Sequence, residues 1–197
     1  RELAFELTKP GEISSKLGSL LYHVDEHLID HSGLERYAEE HGLVMKPEFH
    51  ITIIGTGIGK RIKQLLKSLP KQETDHRVAE INQLIKEIPW KLRGVKGEQF
   101  FHIAQDKVTV NTRGAEQSRE HRQSLIQMVN LEGLQEFYSQ LNQLLSSDFA
   151  VPPAHITLAS TSSIPENTTR GIGISSQEEL EKIPHQVIPL SVLLKTA

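Results

Sequence analysis

The sequence predicts an α+β fold whose strands pair mainly in the antiparallel sense. Stretches with helical spacing and β-branched stretches are interleaved along the 197 residues. Three short strand candidates in the middle of the chain are separated only by turn-like residues, a spacing typical of hairpins rather than of parallel strands joined by helices. The order helix, proline-bearing loop and His-Ile-Thr strand occurs twice, so we expect two related halves.

The first half is expected to contain short strands and three helices. Gly42, Pro70 and Pro89 end the three helices, because glycine readily takes the left-handed conformation that closes a helix and proline cannot continue one. The glycine-rich segment 55–59 is expected to end a strand in a turn. In chain order the predicted elements are strands at 3–7 and 20–25, a helix at 34–41, a strand at 49–54, and helices at 62–69 and 78–88.

The second half is expected to contain the clearest amphipathic helix of the chain, since the apolar residues between Leu134 and Leu145 have helical spacing. Short strands bounded by turn residues precede this helix. The predicted elements are strands at 90–95, 99–104 and 107–111 with a turn at 105–106, a polar loop at 112–122, a strand at 124–129, a helix at 134–145, a strand from 155, a polar loop at 160–173, a helix at 177–183 and a strand at 187–194.

The composition excludes several classes of protein. The formal net charge of −3 disfavours non-specific binding to long duplex nucleic acid, which depends on basic surfaces. The absence of cysteine excludes disulfides and thiolate metal sites. No apolar run approaches the ~18 residues of a spanning helix, and the first residues lack the pattern of a secretory signal. We expect a cytoplasmic monomer without membrane association.

The tripeptide His-Ile-Thr occurs at positions 50–52 and 155–157 in matching settings. Each copy follows a proline-bearing loop and opens a β-branched strand. Because residues i and i+2 of a strand point to the same face, each motif places an imidazole beside a hydroxyl, with the isoleucine on the other face. Two such strands facing one another would enclose a pocket containing two histidines and two threonines.

His50, His155, Thr52 and Thr157 are therefore the candidate functional residues. A histidine titrates near neutral pH, so one of the pair can accept a proton from water or a hydroxyl while the other, charged, protonates a leaving oxygen. The two threonine hydroxyls can donate hydrogen bonds to phosphate oxygens. This chemistry requires no metal and no other cofactor. The residues alone do not determine which histidine is the acid and which is the base.

These paired His-x-Thr strands, in a chain of this length, resemble the 2H phosphoesterase superfamily, which includes the RNA 2′,5′-ligase and cyclic nucleotide phosphodiesterase groups. The resemblance implies a bilobal α+β fold in which two antiparallel sheets, related by a pseudo-twofold axis and flanked by helices, face a central cleft. Residues 1–197 would then form a single bilobal domain, each lobe contributing one His-Ile-Thr strand.

The activity implied by the resemblance is that of a hydrolase. It would act without a metal on the 2′,3′-cyclic phosphate of a small nucleotide or an RNA end, or on a related small phosphodiester. By the same resemblance, His50 and His155 would be the catalytic residues, and Thr52 and Thr157 would bind the substrate phosphate.

Two other classes of function are consistent with the sequence. A nucleotide or RNA-end binding module of the same fold would keep both motifs with little turnover. A metal-dependent enzyme would use His23, His27 and His31, whose spacing of four residues would put them on one face of a helix. A strand followed by a turn in this stretch would separate these histidines, and that interpretation is preferred.

Several other residues have both a functional and a structural interpretation. Three of the aromatic side chains could stack a nucleobase, but packing in the core is the preferred interpretation for each. Arginines in the polar segment 112–122 could line a phosphate path, but a solvated loop is preferred. The residues concerned are Tyr22, Phe101, Tyr138, Arg113, Arg119 and Arg122.

Overall fold

The α+β class predicted from the sequence is confirmed by the computed structural model of the protein, which describes residues 11, 13–16, 18–94 and 99–193. Within those residues, an eight-stranded antiparallel sheet is accompanied by a two-stranded sheet and six α-helices. The strand predicted at 3–7 lies outside the described residues.

Ten strands form the two sheets. Most of them fall on the β-branched or alternating stretches of the sequence, as expected for strands with one buried face. They are β1 (Ile13–Lys16), β2 (Ser19–Val24), β3 (Val44–Met45), β4 (Phe49–Ile54), β5 (Lys91–Arg93), β6 (Phe100–Val110), β7 (Glu116–Met128), β8 (Asn130–Glu132), β9 (His155–Ser162) and β10 (His185–Ile188).

The large sheet has the strand order β1-β2-β4-β9-β7-β6-β10, with β3 paired to β9, and β5 and β8 form the small sheet. All neighbouring strands are antiparallel. The two sheets implied by the family resemblance are joined, because β4 and β9 pair with Ile51 opposite Ile156. The two strands that carry His-Ile-Thr are therefore direct neighbours.

The helices end largely where the sequence predicts. The segment after Pro70 begins a helix, and Ser146 closes another in the left-handed conformation, with φ of 49°. The hydroxyl of Ser176 caps a third by accepting the N–H of Glu179. The six are α1 (His31–Glu40), α2 (Thr56–Lys67), α3 (Lys71–Glu87), α4 (Leu134–Leu145), α5 (Gln177–Lys182) and α6 (Leu190–Leu193).

The main hydrophobic core joins the central strands to α4. Ile51 and Ile156 are fully buried in it, together with Phe137 and Tyr138 of α4, and a buried side chain of this size stabilises the fold by roughly 1.5–3 kcal/mol. The Tyr138 hydroxyl donates a hydrogen bond of 2.6 Å to the carbonyl of Ile53. The hydroxyl of this buried tyrosine therefore has a hydrogen-bond partner.

A second, smaller hydrophobic cluster fixes the segment that leads into α5. It joins Ile103 and Ile126 of the large sheet to Ile172, Ile174 and Leu180. Because Ile126 lies opposite Thr157 in the sheet, this cluster is on the same face as the threonine of the second motif. The loop at 171–175 is thereby held beside that motif.

The turn predicted at 105–106 is wrong, because β6 continues without a break from Phe100 to Val110. The polar loop predicted at 112–122 is also wrong in most of its length, since β7 begins at Glu116 and pairs with β6 throughout. The outer parts of these strands form a ribbon with mostly exposed side chains. A strand is recognised in a sequence by alternating apolar residues, which arise when one face is buried. Both faces of this ribbon are mostly exposed, so its strands lack that pattern.

The turn predicted in the glycine-rich segment is wrong as well. Gly55 follows the end of β4 at Ile54, and α2 starts at Thr56 and includes Gly57 and Gly59. A Cβ at Gly59 would lie 2.5 Å from the carbonyl oxygen of Gly18. The glycine at this position is explained by the close approach of another backbone, a reason that local sequence does not reveal.

The final strand predicted at 187–194 is only partly correct. The strand β10 covers His185–Ile188 and is followed by the short helix α6. Pro189 separates the two, because proline has no N–H to donate to a sheet and is well suited to the start of a helix.

Over the part of the chain that the structure describes, none of the helices combines the length and the apolar character needed to cross a membrane.

We predict that Gly33→Ala destabilises the protein by about 2–3 kcal/mol. A Cβ on this residue of α1 would lie 1.3 Å from the carbonyl oxygen of Leu193, so α1 and α6 would have to separate. The free energy of unfolding, measured by urea denaturation, gives the test. Gly57→Ala is the matched control, since it adds a Cβ to a helix in open space and should be neutral or stabilising by up to ~1 kcal/mol. Equal small effects of the two changes would contradict the contact.

Candidate active site

The two His-Ile-Thr segments pair reciprocally across the middle of the large sheet. Ile51 lies opposite Ile156 in an antiparallel register. Extending this register by one residue in each direction sets His50 opposite Thr157 and Thr52 opposite His155. Residues directly opposite one another in such a pair have Cβ atoms roughly 4.5–5.5 Å apart and lie on the same face. The imidazole of each motif is therefore beside the hydroxyl of the other.

These four side chains line one cavity of about 320 Å³. The two isoleucines between them are 0% exposed and belong to the core on the opposite face, so the alternation predicted for each motif is confirmed. The histidines and threonines are half-buried. The rest of the wall comes from Lys46, Pro152, Glu179 and the segments 55–58 and 171–175.

His155 is held in one tautomer. Its Nδ1 lies 2.8 Å from the carbonyl oxygen of Pro153, and a carbonyl only accepts hydrogen bonds, so Nδ1 carries the hydrogen of the neutral ring. Burial of the imidazole lowers the pKa of His155 below the ordinary histidine value. The hydrogen bond to Pro153 raises the pKa, but its effect is smaller than that of burial. The ring is therefore neutral at neutral pH, with the lone pair on Nε2, which can accept a proton.

His50 lies one strand away, between His23 and Thr157. His23 of β2 is directly opposite His50, and the Nε2 of His23 shares a hydrogen bond of 2.5 Å with the hydroxyl of Ser14. The cavity is bordered by His50 and not by His23. The sheet thus places one histidine from each motif in the cavity, at diagonal positions of the central strand pair.

Lys46 is the one lysine or arginine among the described residues that line the cavity. Its ammonium group donates a hydrogen bond to the carbonyl of Thr169, and its backbone N–H donates to the carbonyl of Leu158 at 2.8 Å. These bonds hold Lys46 between β9 and the start of the 171–175 loop. A positive charge in this position favours an anionic ligand.

The first turn of α2 presents backbone N–H groups on the side of the cavity nearer Thr52. Gly55 precedes the helix without a side-chain cap, and Gly59 is the first residue whose N–H bonds back within the helix, to the carbonyl of Gly55. The N–H groups before it lack intrahelical partners, and the helix dipole adds a partial positive charge there. Together with Lys46, this end of α2 favours binding of an anion beside the two motifs.

The loop at 171–175 presses against the second motif. A Cβ on Gly171 would lie 3.2 Å from the Oγ1 of Thr157, so a larger residue here would require the threonine or the loop to shift by a few tenths of an ångström. Arg122 lies behind the loop, where one guanidinium nitrogen is 3.5 Å from the Gly171 carbonyl oxygen. Thr157 is therefore confined between the sheet and a loop with a fixed path.

Arg122 is itself held by a buried carboxylate. Glu120, on the same face of β7, accepts two hydrogen bonds from the Arg122 guanidinium at 2.7 and 3.0 Å. Ser162 and Asn167 donate to the same carboxylate. The bond from Arg122, then that from Ser162, lower the pKa of Glu120 to about 2. This charged pair supports the loop from outside the cavity.

The histidine cluster proposed as a metal site is not assembled on one helix. His23 is in β2, His27 lies in a short 3₁₀ turn and His31 is the first residue of α1, as the preferred strand-and-turn interpretation predicted. The residues that the structure describes contain no group of three histidine, aspartate or glutamate side chains placed to hold a metal ion. The spacing of these histidines therefore has no metal-binding consequence in the fold.

The aromatic residues considered for base stacking are part of the packing. Tyr138 and Tyr22 are buried in the main core, and Phe101 packs against the smaller cluster. Arg113 and Arg119 lie on the outer part of the β6–β7 hairpin, far along the strands from the motif residues. None of these five residues lines the cavity.

Sequence reasoning missed Lys46, Gly171 and Glu179. A lysine and a glutamate reach the cavity through tertiary structure, and no local pattern marks them. The tripeptide Gly-Ile-Gly follows each motif, at 57–59 and at 171–173, and both copies are near the cavity. This second repeat is the signal that could have identified the first turn of α2 and the 171–175 loop as the two flanking walls.

Comparisons of the chain with protein-family models, with curated proteins and with solved structures find no match. An assignment of function must therefore be argued from the geometry of the cavity.

We predict that Gly171→Ala displaces the side chain of Thr157 and weakens binding of inorganic phosphate, while the free energy of unfolding changes by less than about 1–2 kcal/mol. The added Cβ meets the Thr157 hydroxyl, whereas the loop backbone faces a cavity and can shift. Isothermal titration with phosphate and the NMR shifts of the Thr157 methyl group measure the two effects. Gly173→Ala adds a Cβ to the same loop in open space, and a similar effect of both changes would contradict the contact.

We predict that Glu120 contributes to stability in a pH-dependent way. Its pKa is near 2 in the folded protein against an ordinary 4.5, so its contribution is complete above about pH 4.5 and is lost as the pH falls toward 2. Glu120→Gln should cost about 3 kcal/mol at pH 7, because it leaves Arg122 buried without a counter-charge.

The difference in free energy of unfolding between wild type and Glu120→Gln should shrink between pH 4.5 and 2.5. Urea denaturation at several pH values measures it. Glu178→Gln, which removes the carboxylate of an exposed pair with Lys182, should cost at most ~0.5 kcal/mol at either pH. A difference for Glu120→Gln that is as large at pH 2.5 as at pH 7 would contradict the proposed role.

Proposed function

We propose that this protein is a metal-independent phosphoesterase that hydrolyses the 2′,3′-cyclic phosphate of a nucleotide or RNA end by acid–base catalysis between His50 and His155. The reciprocal pairing of the two His-Ile-Thr segments carries this proposal. Through the single Ile51–Ile156 pair, both histidines and both threonine hydroxyls reach one cavity. Two proton-transfer groups and two hydrogen-bond donors around one anion-sized space are what this chemistry needs.

We also propose that the fold is that of the 2H phosphoesterases, with two lobes related by a pseudo-twofold axis through the Ile51–Ile156 pair. The order of elements supports this. The hairpin β1–β2, the helix α1, the strand β4 and the helix α2 are matched in sequence by β6–β7, α4, β9 and α5. The strand order β1-β2-β4-β9-β7-β6 is correspondingly symmetric about its centre.

The positions of the two histidines suit displacement at phosphorus. His50 and His155 are diagonal neighbours on adjacent strands, a relation that puts such residues roughly 7–8 Å apart. A phosphate between them can have one ring facing the attacking oxygen and the other facing the leaving oxygen. Thr52 and Thr157 occupy the other two corners of this square, where their hydroxyls can donate to the non-bridging oxygens.

The role assigned to His155 rests on its hydrogen bond, and the complementary role is assigned to His50. His155, neutral and with its lone pair on Nε2, is the base and takes a proton from water as the water oxygen bonds to phosphorus. The bond from phosphorus to one ribose oxygen breaks, and protonated His50 gives its proton to that oxygen. The product is a nucleoside monophosphate with one free ribose hydroxyl. Lys46 and the N–H groups at the start of α2 stabilise the negative charge that develops on the phosphate.

We predict that His155→Ala and His50→Ala each lower kcat by about two to four orders of magnitude, with wild-type activity retained in EDTA. Chromatographic assay of a panel of 2′,3′-cyclic nucleotides and short cyclic-phosphate oligonucleotides measures this. His185→Ala is the matched control, because the Nδ1 of His185 is also 2.8 Å from the carbonyl two residues before it, yet His185 lies outside the cavity. Wild-type rates in both variants on every cleaved substrate would refute the assignment.

The pH dependence of the same enzymes separates the two roles. Since His155 must be neutral to act as base, the rate should fall on the acid side with a pKa below the ordinary histidine value of about 6.5. The residual activity of His155→Ala should lack this acid limb. Binding of cyclic nucleotides without any product over long incubation would favour a binding module over an enzyme.

A further inference from the structure

The two sides of the candidate active-site cavity differ in charge. On the side of Thr52, the wall is the first turn of α2, which presents backbone N–H groups and no carboxylate. On the side of Thr157, the wall is the 171–175 loop together with Glu179 of α5, and Lys46 lies at the start of that loop, where its ammonium group donates to the carbonyl of Thr169. The two similar halves of the cavity therefore differ, since one side presents backbone N–H groups while the other holds a carboxylate as well as an ammonium group.

Glu179 is rigidly held with one oxygen available for a ligand. Its Oε2 accepts hydrogen bonds from the backbone N–H of Ser175, at 3.0 Å, and from the Ser175 hydroxyl. Among the described residues, no side chain or backbone group donates to its Oε1. A carboxylate fixed in this way can accept a further hydrogen bond with little loss of side-chain entropy.

Glu179 also borders a larger depression on the outside of the protein. This depression, of about 790 Å³, is lined by Glu179 together with residues of β6, β7 and the segment 176–184. Since the same carboxylate borders both spaces, it stands where a group attached to the bound phosphate would leave the cavity. The depression also contains Asp106 and Glu178, which contact His121 at 2.7 Å and Lys182 at 2.6 Å in the same wall, so the preference proposed below is attributed to Glu179 and not to these two carboxylates.

Apart from the two histidines, the described residues that line the cavity present no aromatic ring on which a nucleobase could stack. None of the described residues that line it is phenylalanine, tyrosine or tryptophan, and its apolar wall consists of Pro152, Ile58, Ile172 and Ile174. In proteins that bind single-stranded nucleic acid, stacking of bases on aromatic side chains supplies much of the affinity. Recognition on this side therefore depends on the acceptor that Glu179 provides.

We propose, on the premise of the phosphoesterase function above, that Glu179 is a specificity-determining residue that accepts a hydrogen bond from a hydroxyl or amino group on the alcohol part of the substrate. The same charge excludes substrates that bring a second phosphate to this position. The substrate class is then a 2′,3′-cyclic mononucleotide with a free 5′-hydroxyl, rather than the phosphate-bearing end of an RNA strand. A phosphate beside a fixed carboxylate suffers like-charge repulsion, while a hydroxyl donor gains a charge-assisted hydrogen bond.

The test compares two substrates that differ only at the 5′ position: adenosine 2′,3′-cyclic phosphate and its 5′-phosphorylated counterpart. The wild-type enzyme should have a kcat/KM at least about tenfold higher for the first, because two like charges this close cost that much or more. Glu179→Gln keeps an amide oxygen to accept the Ser175 bonds, and it should reduce this preference to about twofold or less. Its KM for the 5′-hydroxyl substrate should rise more than its kcat falls, since Glu179 binds the substrate and takes no part in proton transfer.

Glu178→Gln is the matched control. It removes one negative charge from the adjacent residue of the same helix, but Glu178 does not line the cavity. If the preference reflects only the general charge of α5, both variants will reduce it equally, and the assignment to Glu179 will be wrong. If the wild-type enzyme cleaves the two substrates equally well, that result alone will overturn the proposal.

A binding measurement separates this proposal from the proposed function. Adenosine 3′-monophosphate and adenosine 3′,5′-bisphosphate are titrated calorimetrically into wild type and Glu179→Gln. If neither cyclic substrate turns over but the monophosphate binds tighter than the bisphosphate in a Glu179-dependent manner, the phosphoesterase activity fails and the role of Glu179 stands. Equal binding of the two ligands, or a preference that Glu179→Gln leaves unchanged, overturns the role of Glu179 whatever the outcome for catalysis.

Discussion

The pairing of Ile51 with Ile156 is the contact on which the rest of the site depends. In an antiparallel pair, side chains alternate between the two faces with a period of two, so a slip of one residue would turn His50 and Thr52 into the core and expose Ile51. Burial of both isoleucines opposes such a slip. A slip of two residues would keep the faces but separate the motifs along the strands. The hydrophobic core on one face thus sets the positions of the polar residues on the other.

The walls of the cavity depend on a different kind of interaction. The buried pair of Glu120 and Arg122 is outside the cavity, but Arg122 reaches the carbonyl of Gly171, and Gly171 contacts Thr157. A buried ion pair is a weak source of net stability, since desolvation offsets much of the attraction. Its value here is geometric, because two directed bonds hold the guanidinium in the plane that supports the loop. Since the pair is neutral overall, it does this without changing the charge inside the cavity.

How much the sequence could predict depends on whether the cause of a feature is local. The motif strands and the helices were found because apolar periodicity and helix-ending residues are written in short stretches. The β6–β7 ribbon was missed because its outer strands carry polar residues on both faces, so pairing with a neighbour, and not burial, makes them strands. The sequence predicts a turn at Gly59, whereas the glycine is required by the close approach of the Gly18 backbone from outside α2. Lys46 and Glu179 enter the cavity by tertiary packing, which single-residue patterns do not encode.

The approximate symmetry of the halves makes their differences informative. A cavity with equivalent sides would bind a phosphate in two opposite orientations, and each histidine would act as base in one of them. The two sides are not equivalent, because Glu179 has no counterpart in the first turn of α2. A substrate that places its hydroxyl-bearing part beside Glu179 can bind in only one of the two orientations. If Glu179 selects the substrate as proposed, the same charge assigns the two histidines to different steps, and specificity and the direction of proton transfer then have one physical origin.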